Sequence, residues 1–415
     1  MILLAIISDD FTGALDTGVQ FVRYNLSVKI LTWEKLQEKS SLEDSADVLV
    51  IDAETRHINP EEAYQLTRKI VFWAVKQSVP HIYIKTDSGL RGNIGSTLKA
   101  ALDASGENFL PFLPAYPDIN RTTRDGIQYI GQMPIQKSIF GKDPFEPVVS
   151  HYIKDLFKGS GVETENIKIS KSYHTDFAKP TIGLFDVQTN DDFQRIASHL
   201  KAHNQLRVFA GCAGFASFIP GLLGFSRQPK KQRVPLNPLL VVCGSLSPVT
   251  KSQVEYACGH GFVQIALTPH QLLSSGYFAS VEGSKWILSQ ESLFCGDTPL
   301  LIDTGILNPE AMRKYDNAYE GARQVNRKKI SNALGTLLHQ LFTMGYCKER
   351  TLMIVGGDTF LGFLKQLRWQ YISPITELEV GTVLASIHIG SQNISIVSKS
   401  GSFGEEELLT RIAPK

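Results

Sequence analysis

The chain has 415 residues, 42 basic and 41 acidic, for a formal net charge of +1; that length suits two domains better than one core, and that balance excludes a globally basic surface for nucleic acid or an anionic membrane. It is 43% hydrophobic and 20% charged, the composition of a globular protein. Cys212, Cys243, Cys258, Cys295 and Cys347 are scattered, odd in number and without a C-x-x-C pair, so neither a disulfide framework nor a zinc cluster is expected, and a reducing, cytoplasmic compartment fits.

The opening ILLAII (residues 2–7) reaches Asp9 and Asp10 at once and lacks a basic start. It reads as a core strand, not a signal peptide. No run approaches the roughly 18 apolar residues of a membrane helix. DVLVID (47–52), HIYIKTD (81–87), TIGLFDV (181–187) and RVFAG (207–211) predict further buried strands. Asn59-Pro60-Glu61-Glu62 predicts a helix start, with Asn59 as cap, Pro60 first and Glu62 closing a capping box. Tyr64, Ile70, Val71, Ala74 and Val75 supply its apolar face. Residues 111–150, rich in Pro, Gly and Asp, have weak periodicity, and a long ordered loop there would be unusual and would point to a function. SRQPKKQRVPLNP (226–238) reads as the linker between domains spanning 1–228 and 238–415. A second series of strands follows: LLVVC (239–243), FVQIAL (262–267), PLLIDT (299–304), TLMIV (351–355) and ISIVSK (394–399). Strands alternating with helices imply mainly parallel sheets with covered faces, an α/β architecture in each domain. The basic runs Lys230, Lys231, Arg233 and Arg327, Lys328, Lys329 read as solvated surface.

Chemistry gathers at strand ends, where open α/β sheets bind ligands. Ser8-Asp9-Asp10-Phe11-Thr12-Gly13 follows the first strand. Asp10 could accept hydrogen bonds from substrate hydroxyls or take a proton; equally, Asp9 or Asp10 could only cap the next helix. Lys85, Thr86, Asp87, Ser88 and Arg91 put two cations, a carboxylate and hydroxyls on one loop. Such cations suit a substrate carboxylate, and the plainer reading is an ion-pair network shaping the loop. Arg56, after a third strand, can join this site or be a surface arginine, and His57 has no evident partner.

In the second half, Gly244-Ser245-Leu246-Ser247-Pro248 predicts a glycine turn with Ser247 as helix cap. Gly356-Gly357-Asp358-Thr359 repeats that grammar, and Lys399-Ser400-Gly401-Ser402-Phe403-Gly404 adds a third turn with a cation. Turns without side chains let backbone N–H groups approach a phosphate, and the helix start behind favours negative charge. No G-x-x-x-x-G-K-[ST], G-x-G-x-x-G or protein-kinase signature is present. An anion site in one half and a polar small-molecule site in the other read as a two-domain kinase. A phosphosugar lyase or isomerase and a ligand sensor are the rival readings.

These motifs resemble the four-carbon acid sugar kinase family over essentially the whole chain. The resemblance rests on SDDFTGALD, with Asp10 as second carboxylate, on KTDSGLRGN (85–93), PAYPDINRTTRDGIQYIGQMPI (114–135) and GCAGFA (211–216), and on GSLSPVT, GGDT and KSGSFG in that order. Gly89 stands where many relatives carry threonine. The resemblance implies a sugar-acid domain followed by a nucleotide domain, with reaction in the cleft between them. It implies acid contacts from Asp10, Arg56, Lys85, Thr86, Asp87, Ser88 and Arg91. It implies ATP contacts from Ser245, Gly356, Gly357, Asp358, Thr359, Gly401, Ser402, Phe403 and Gly404. The expected reaction moves the γ-phosphoryl of ATP to the terminal hydroxyl of D-erythronate, D-threonate or a 3-oxo-tetronate. Asp10 and Asp87 are candidate bases, Arg91 a candidate for neutralising charge, and Asp358 a third base or a holder of Mg²⁺ through water. Mg²⁺ is expected from ATP chemistry, not from a ligand cluster. A homodimer is the base-rate expectation.

Overall fold

The computed structural model describes residues 2–38, 46–143, 146–168, 177–227, 234–308, 310, 313 and 320–414. The chain divides into two compact units, residues 1–229 and 230–415. Most of the proline-rich stretch proposed as linker, residues 228–233 with Lys230, Lys231 and Arg233, lies outside the described residues.

The first unit runs β1 (Leu4–Ser8), α1 (Phe11–Val22), β2 (Val28–Thr32), α2 (Trp33–Gln37), β3 (Val48–Asp52), α3 (Pro60–Lys76), β4 (His81–Lys85), α4 (Ile94–Ser105) and β5 (Phe109–Leu113). It continues through β6 (Arg121–Arg124), β7 (Ile127–Ile130), β8 (Met133–Pro134), β9 (Glu163–Ile167), β10 (Thr181–Phe185), α5 (Asn190–Ala202), β11 (Val208–Gly211), α6 (Ala213–Ala216) and α7 (Ile219–Leu222). Its main sheet has the order β2-β3-β1-β4-β11-β5-β10-β9, parallel throughout. All five residues of β1 and of β3 are buried, which is why these strands are continuous apolar runs and not alternating ones. The chain leaves β1 toward β2 and β3, then crosses to β4 on the other side. The strand order therefore reverses between β1 and β4, the kind of position at whose carboxyl ends open α/β sheets bind ligands.

Asn59 caps α3, its Oδ1 accepting from Glu62 N at 2.9 Å; the reciprocal bond of the expected capping box is not among the contacts of the described residues. Residues 111–150 are not a long loop. They hold the end of β5 and a small antiparallel sheet, β6-β7-β8, whose turn uses Asp125 and Gly126 at positive φ. Dense turn residues mask the short alternating strands between them.

The second unit runs β12 (Leu239–Cys243), α8 (Pro248–Gly259), β13 (Val263–Ala266), α9 (Pro269–Leu273), α10 (Val281–Ser289), α11 (Glu291–Phe294) and β14 (Leu300–Asp303). Then come α12 (Glu320–Thr343), β15 (Thr351–Val355), α13 (Gly357–Leu364), β16 (Tyr371–Glu379), β17 (Thr382–Ile389), β18 (Gln392–Lys399) and α14 (Leu408–Ile412). Strands β13-β14-β12-β15-β18 are parallel, and β17 and β16 extend them as an antiparallel meander. Its core joins Leu239, Val241, Met353, Val397 and Leu408. Here the order reverses between β12 and β15. No helix among the described residues is long and apolar enough to cross a membrane.

Helices α12 and α13 approach through glycine. A Cβ on Gly335 would overlap the Gly362 carbonyl, and one on Gly362 would overlap the Ser331 carbonyl. Neither contact can relax by turning a flexible side chain, because backbone stands on both sides. Gly362→Ala should therefore lower the unfolding free energy by about 1–3 kcal/mol, read as a lower denaturation midpoint; an unchanged midpoint would refute the close packing.

Candidate active site

In-register pairing aligns the strand ends of the first unit: Asp52 opposite Ser8, Ser8 opposite Lys85, and Lys85 opposite Gly211. Beyond this row Asp9 and Asp10 turn into α1. Asp10 is the N-cap, with Oδ1 accepting from Gly13 N at 3.0 Å and Oδ2 from Thr12 Oγ1 at 2.7 Å. Asp10 thus caps α1, as one reading of the sequence expects. Arg56 Nη1 lies 2.8 Å from Asp10 Oδ2, while its Nε and Nη2 each lie 2.7 Å from Asp9 Oδ2. Arg56 is not a surface arginine; it is 8% exposed and bridges two carboxylates. Lys85 Nζ stands 3.9 Å from Asp9 Oδ1, an oxygen that is buried and accepts no hydrogen bond among the described residues.

These contacts separate the two carboxyls. Burial pushes Asp9 up, against the pull of Arg56 and Lys85. Burial opposes ionisation at Asp10 too, but Arg56, Lys85 and the Thr12 hydroxyl outweigh it and hold Asp10 below its ordinary value. Asp52, at the end of β3, is pushed well above the usual range by burial, with Glu54 adding to it. Glu54 itself sits at φ 47°, strained for a residue with a side chain.

The second loop holds the ion-pair network of the plainer reading. Arg91 grips Asp87 through Nε (2.7 Å) and Nη2 (3.2 Å) and reaches Asp143 through Nη1 (3.0 Å). Burial works against the Asp87 charge, yet Arg91 and then Arg56 hold its carboxyl well below the usual range. Thr86 is turned inward, its N and Oγ1 both donating to Gly211 O. Ser88 is buried and its Oγ accepts from Arg121 Nη1 at 2.6 Å. Arg121 belongs to β6, in the segment that reads as a loop, and its part in the site has no signal in spacing alone. His57 does have a partner: Nδ1 lies 3.1 Å from Glu146 Oε1.

In the second unit the row of strand ends is Asp303, Cys243, Val355, Lys399. The three glycine turns meet there. A Cβ on Gly244 would strike Thr359 Oγ1, one on Gly401 would strike Ser245 Oγ, and Gly356 at φ 108° lies against Ser245 N. Thr250 Oγ1 donates to Gly401 O at 2.8 Å and lies 3.0 Å from Ser245 Oγ. Gln253 Nε2 ties Phe403 O, Gly404 O and Glu405 O, each at 3.0 Å. Ser402 and Gly401 are partly exposed at this rim, and Gly357 opens α13. Ser247 occupies the cap position of α8 without a side-chain cap bond. Asp358 receives Arg327 through Nε and, at 2.6 Å, through Nη2, so Arg327 is not a solvated residue, whereas Lys328 and Lys329 are exposed. Asp303, which the sequence did not single out, is buried and accepts from Ile306 N at 3.1 Å and Gln264 Nε2 at 2.7 Å. Burial pushes its carboxyl up.

Lys399 is fully buried, donates to Ser400 O at 2.8 Å, and is pushed down by burial from 10.5 to about 8. Between those two values the unfolded chain holds the extra proton, so stability rises with pH across that window and the buried charge costs stability below it. Lys399→Met should raise the denaturation midpoint at pH 7 and flatten its rise between pH 8 and 10; an unaltered slope would contradict this.

Residues 4–219 match a family described as "Sugar-binding N-terminal domain", and residues 240–409 one described as "Nucleotide-binding C-terminal domain". D-threonate kinase of Salmonella typhimurium is 29% identical over 63% of this chain and 62% of its own. D-threonate kinase of Bordetella bronchiseptica is 26% identical over 99% of this chain and 96% of its own. 3-Oxo-tetronate kinase of Actinobacillus succinogenes is 23% identical over 98% and 97%. A crystal structure from Salmonella typhimurium LT2 superposes with a TM-score of 0.75 at 19% identity, covering 99% of this chain and 98% of that one, which shows the shared fold. With both domain families matched along the chain and kinases of four-carbon acids among its relatives, the protein belongs to the four-carbon acid sugar kinase family.

Proposed function

We propose that this kinase transfers the γ-phosphoryl group of ATP to the C4 hydroxyl of D-threonate or D-erythronate, giving the 4-phosphate. The observation that carries the reading is Asp10 just beyond the carboxyl end of β1, 2.8 Å from Arg56 Nη1, with Arg56, Lys85 and Thr12 holding its carboxyl below the ordinary value. Residues 1–228 form the acid-binding domain in this proposal, and residues 238–415 the nucleotide domain. Asp10 is the side chain that accepts the attacking hydroxyl's proton or orients it. It is more open than Asp9, with 18% against 11% side-chain exposure. Asp87 is the poorer base, because it is less exposed than Asp10, at 8% against 18%, and Arg91 and Arg56 hold its carboxyl well below the usual range; it shapes the loop that carries Lys85 and Ser88. Lys85, Arg56 and Arg91 supply the positive field in which a carboxylate and a transferring phosphoryl group are stabilised.

On the nucleotide side, Ser245, Gly356 to Thr359 and Gly401 to Gly404 would face the phosphates with backbone N–H groups and hydroxyls. Asp358 does not suit a divalent cation, since Arg327 already takes both its oxygens. Among the described residues no group of three His, Cys, Asp or Glu side chains is placed to hold one. Magnesium would come with the nucleotide phosphates, as ATP chemistry requires. A 3-oxo-tetronate is the second substrate reading, favoured by the end-to-end match to a kinase so named.

Wild-type enzyme should turn over one acid strongly in an ATP-coupled assay across the D- and L-threonates, the D- and L-erythronates and the 3-oxo-tetronates. Asp10→Asn should lower kcat by at least roughly a hundredfold while nucleotide binding, measured by calorimetry, is kept. Near wild-type turnover in that variant would remove Asp10 from the chemistry.

A further inference from the structure

We propose that Thr250 and Gln253 are positioning residues of the nucleotide site: from one face of α8 they take the carbonyls of the turn after β18 and so set its backbone N–H groups toward a nucleotide phosphate. This deepens the reading above and rests on it. The turn runs from Ser400 to Glu405, and side chains take the carbonyls along it. Lys399 Nζ donates to Ser400 O at 2.8 Å, and Thr250 Oγ1 donates to Gly401 O at 2.8 Å. Gln253 Nε2 lies 3.0 Å from each of Phe403 O, Gly404 O and Glu405 O. Only the donor end of an amide can face a group of carbonyls, which fixes the direction of this side chain. Thr250 also lies 3.0 Å from Ser245 Oγ, which ties the first glycine turn to the third.

Capture of the carbonyls decides where the N–H groups point. A trans peptide holds its C=O and the following N–H on opposite sides, and no cis peptide bond occurs among the described residues. Carbonyls drawn toward α8 and Lys399 therefore turn the N–H groups of Gly401, Ser402, Gly404 and Glu405 the other way. Those of Gly401, Gly404 and Glu405 donate to no acceptor among the described residues. Backbone N–H groups gathered in one turn are an anion-binding arrangement.

Thr250 and Gln253 stand three positions apart, which places them on one helix face, and they are 2% and 1% exposed. Folding alone does not account for Gln253. Its Oε1 is buried and accepts no hydrogen bond among the described residues, a cost that an apolar side chain of the same length would avoid. Lys399 carries a similar cost, because its charge is buried. Both side chains shape this turn against the interest of stability, which is the mark of a functional site.

The test uses full-length wild type, Gln253→Met, Thr250→Val and Thr250→Ser. Binding of ATP is compared by calorimetry with binding of adenosine, which lacks the phosphates. Gln253→Met and Thr250→Val remove the donor and keep the shape; each should raise Kd and KM for ATP by at least about tenfold. Kd for adenosine and KM for the acid should stay within about threefold of wild type, as should every constant of Thr250→Ser, which keeps the hydroxyl. If Gln253→Met does not fold, the two Thr250 variants decide the matter by the same readouts. Equal losses on ATP and adenosine would show a purely structural role and overturn the proposal. So would ATP binding that is unchanged in both donor-less variants, or a loss in Thr250→Ser as large as in Thr250→Val. A wild type that binds no ATP would overturn the functional reading itself and this inference with it.

Discussion

One guanidinium holds the first unit's site together. Arg56 pairs with two adjacent buried carboxylates, Asp9 and Asp10, and together with Lys85 it opposes the burial that disfavours their charge. Removing one member of such a buried set costs about 3–5 kcal/mol, because the charges left behind remain desolvated. The two carboxyls are nonetheless shifted apart: burial prevails at Asp9, while at Asp10 the Thr12 hydroxyl adds to Arg56 and Lys85 and holds the carboxyl below its ordinary value. The backbone adds to the arrangement, since Arg56 N also donates to Asp9 O at 3.1 Å.

The two units apply one geometrical rule twice. Parallel, in-register strands bring their carboxyl ends into a row, and the reversal of strand order opens a gap in the helical cover beside that row. In the first unit the gap lies next to Asp10 and Lys85, in the second next to Ser245 and Gly356. The side chains then differ according to what must be bound. The first unit lines its gap with paired charges, which suit a polar acid. The second lines it with glycines whose missing side chains let three turns touch.

The strands were legible wherever an apolar run ended in glycine or aspartate, as at Ile2–Ile7, Leu239–Cys243 and Thr351–Val355. They were not legible where burial is partial. β9 is a largely exposed edge strand with the sequence ETENI, and β16 and β17 alternate in a meander that a parallel reading does not anticipate. Site residues followed the same division. Asp10, Lys85, Asp87 and Ser88 sit in dense local motifs. Arg56, Arg121 and Arg327 act on partners 46, 33 and 31 residues away, so each looks like any other basic residue until the fold brings the partner near. Spacing records local geometry, and long-range ion pairs lie outside it.

The central claim is that the phosphoryl group goes to the primary hydroxyl of the acid. Phosphorus NMR of the purified product of four-carbon acid and ATP tests this most directly. A phosphate ester at C4 couples to the two protons of that carbon, and the account predicts the resulting three-line signal. A two-line signal would place the phosphate on a secondary hydroxyl and contradict that claim; free phosphate alone would contradict transfer to the acid.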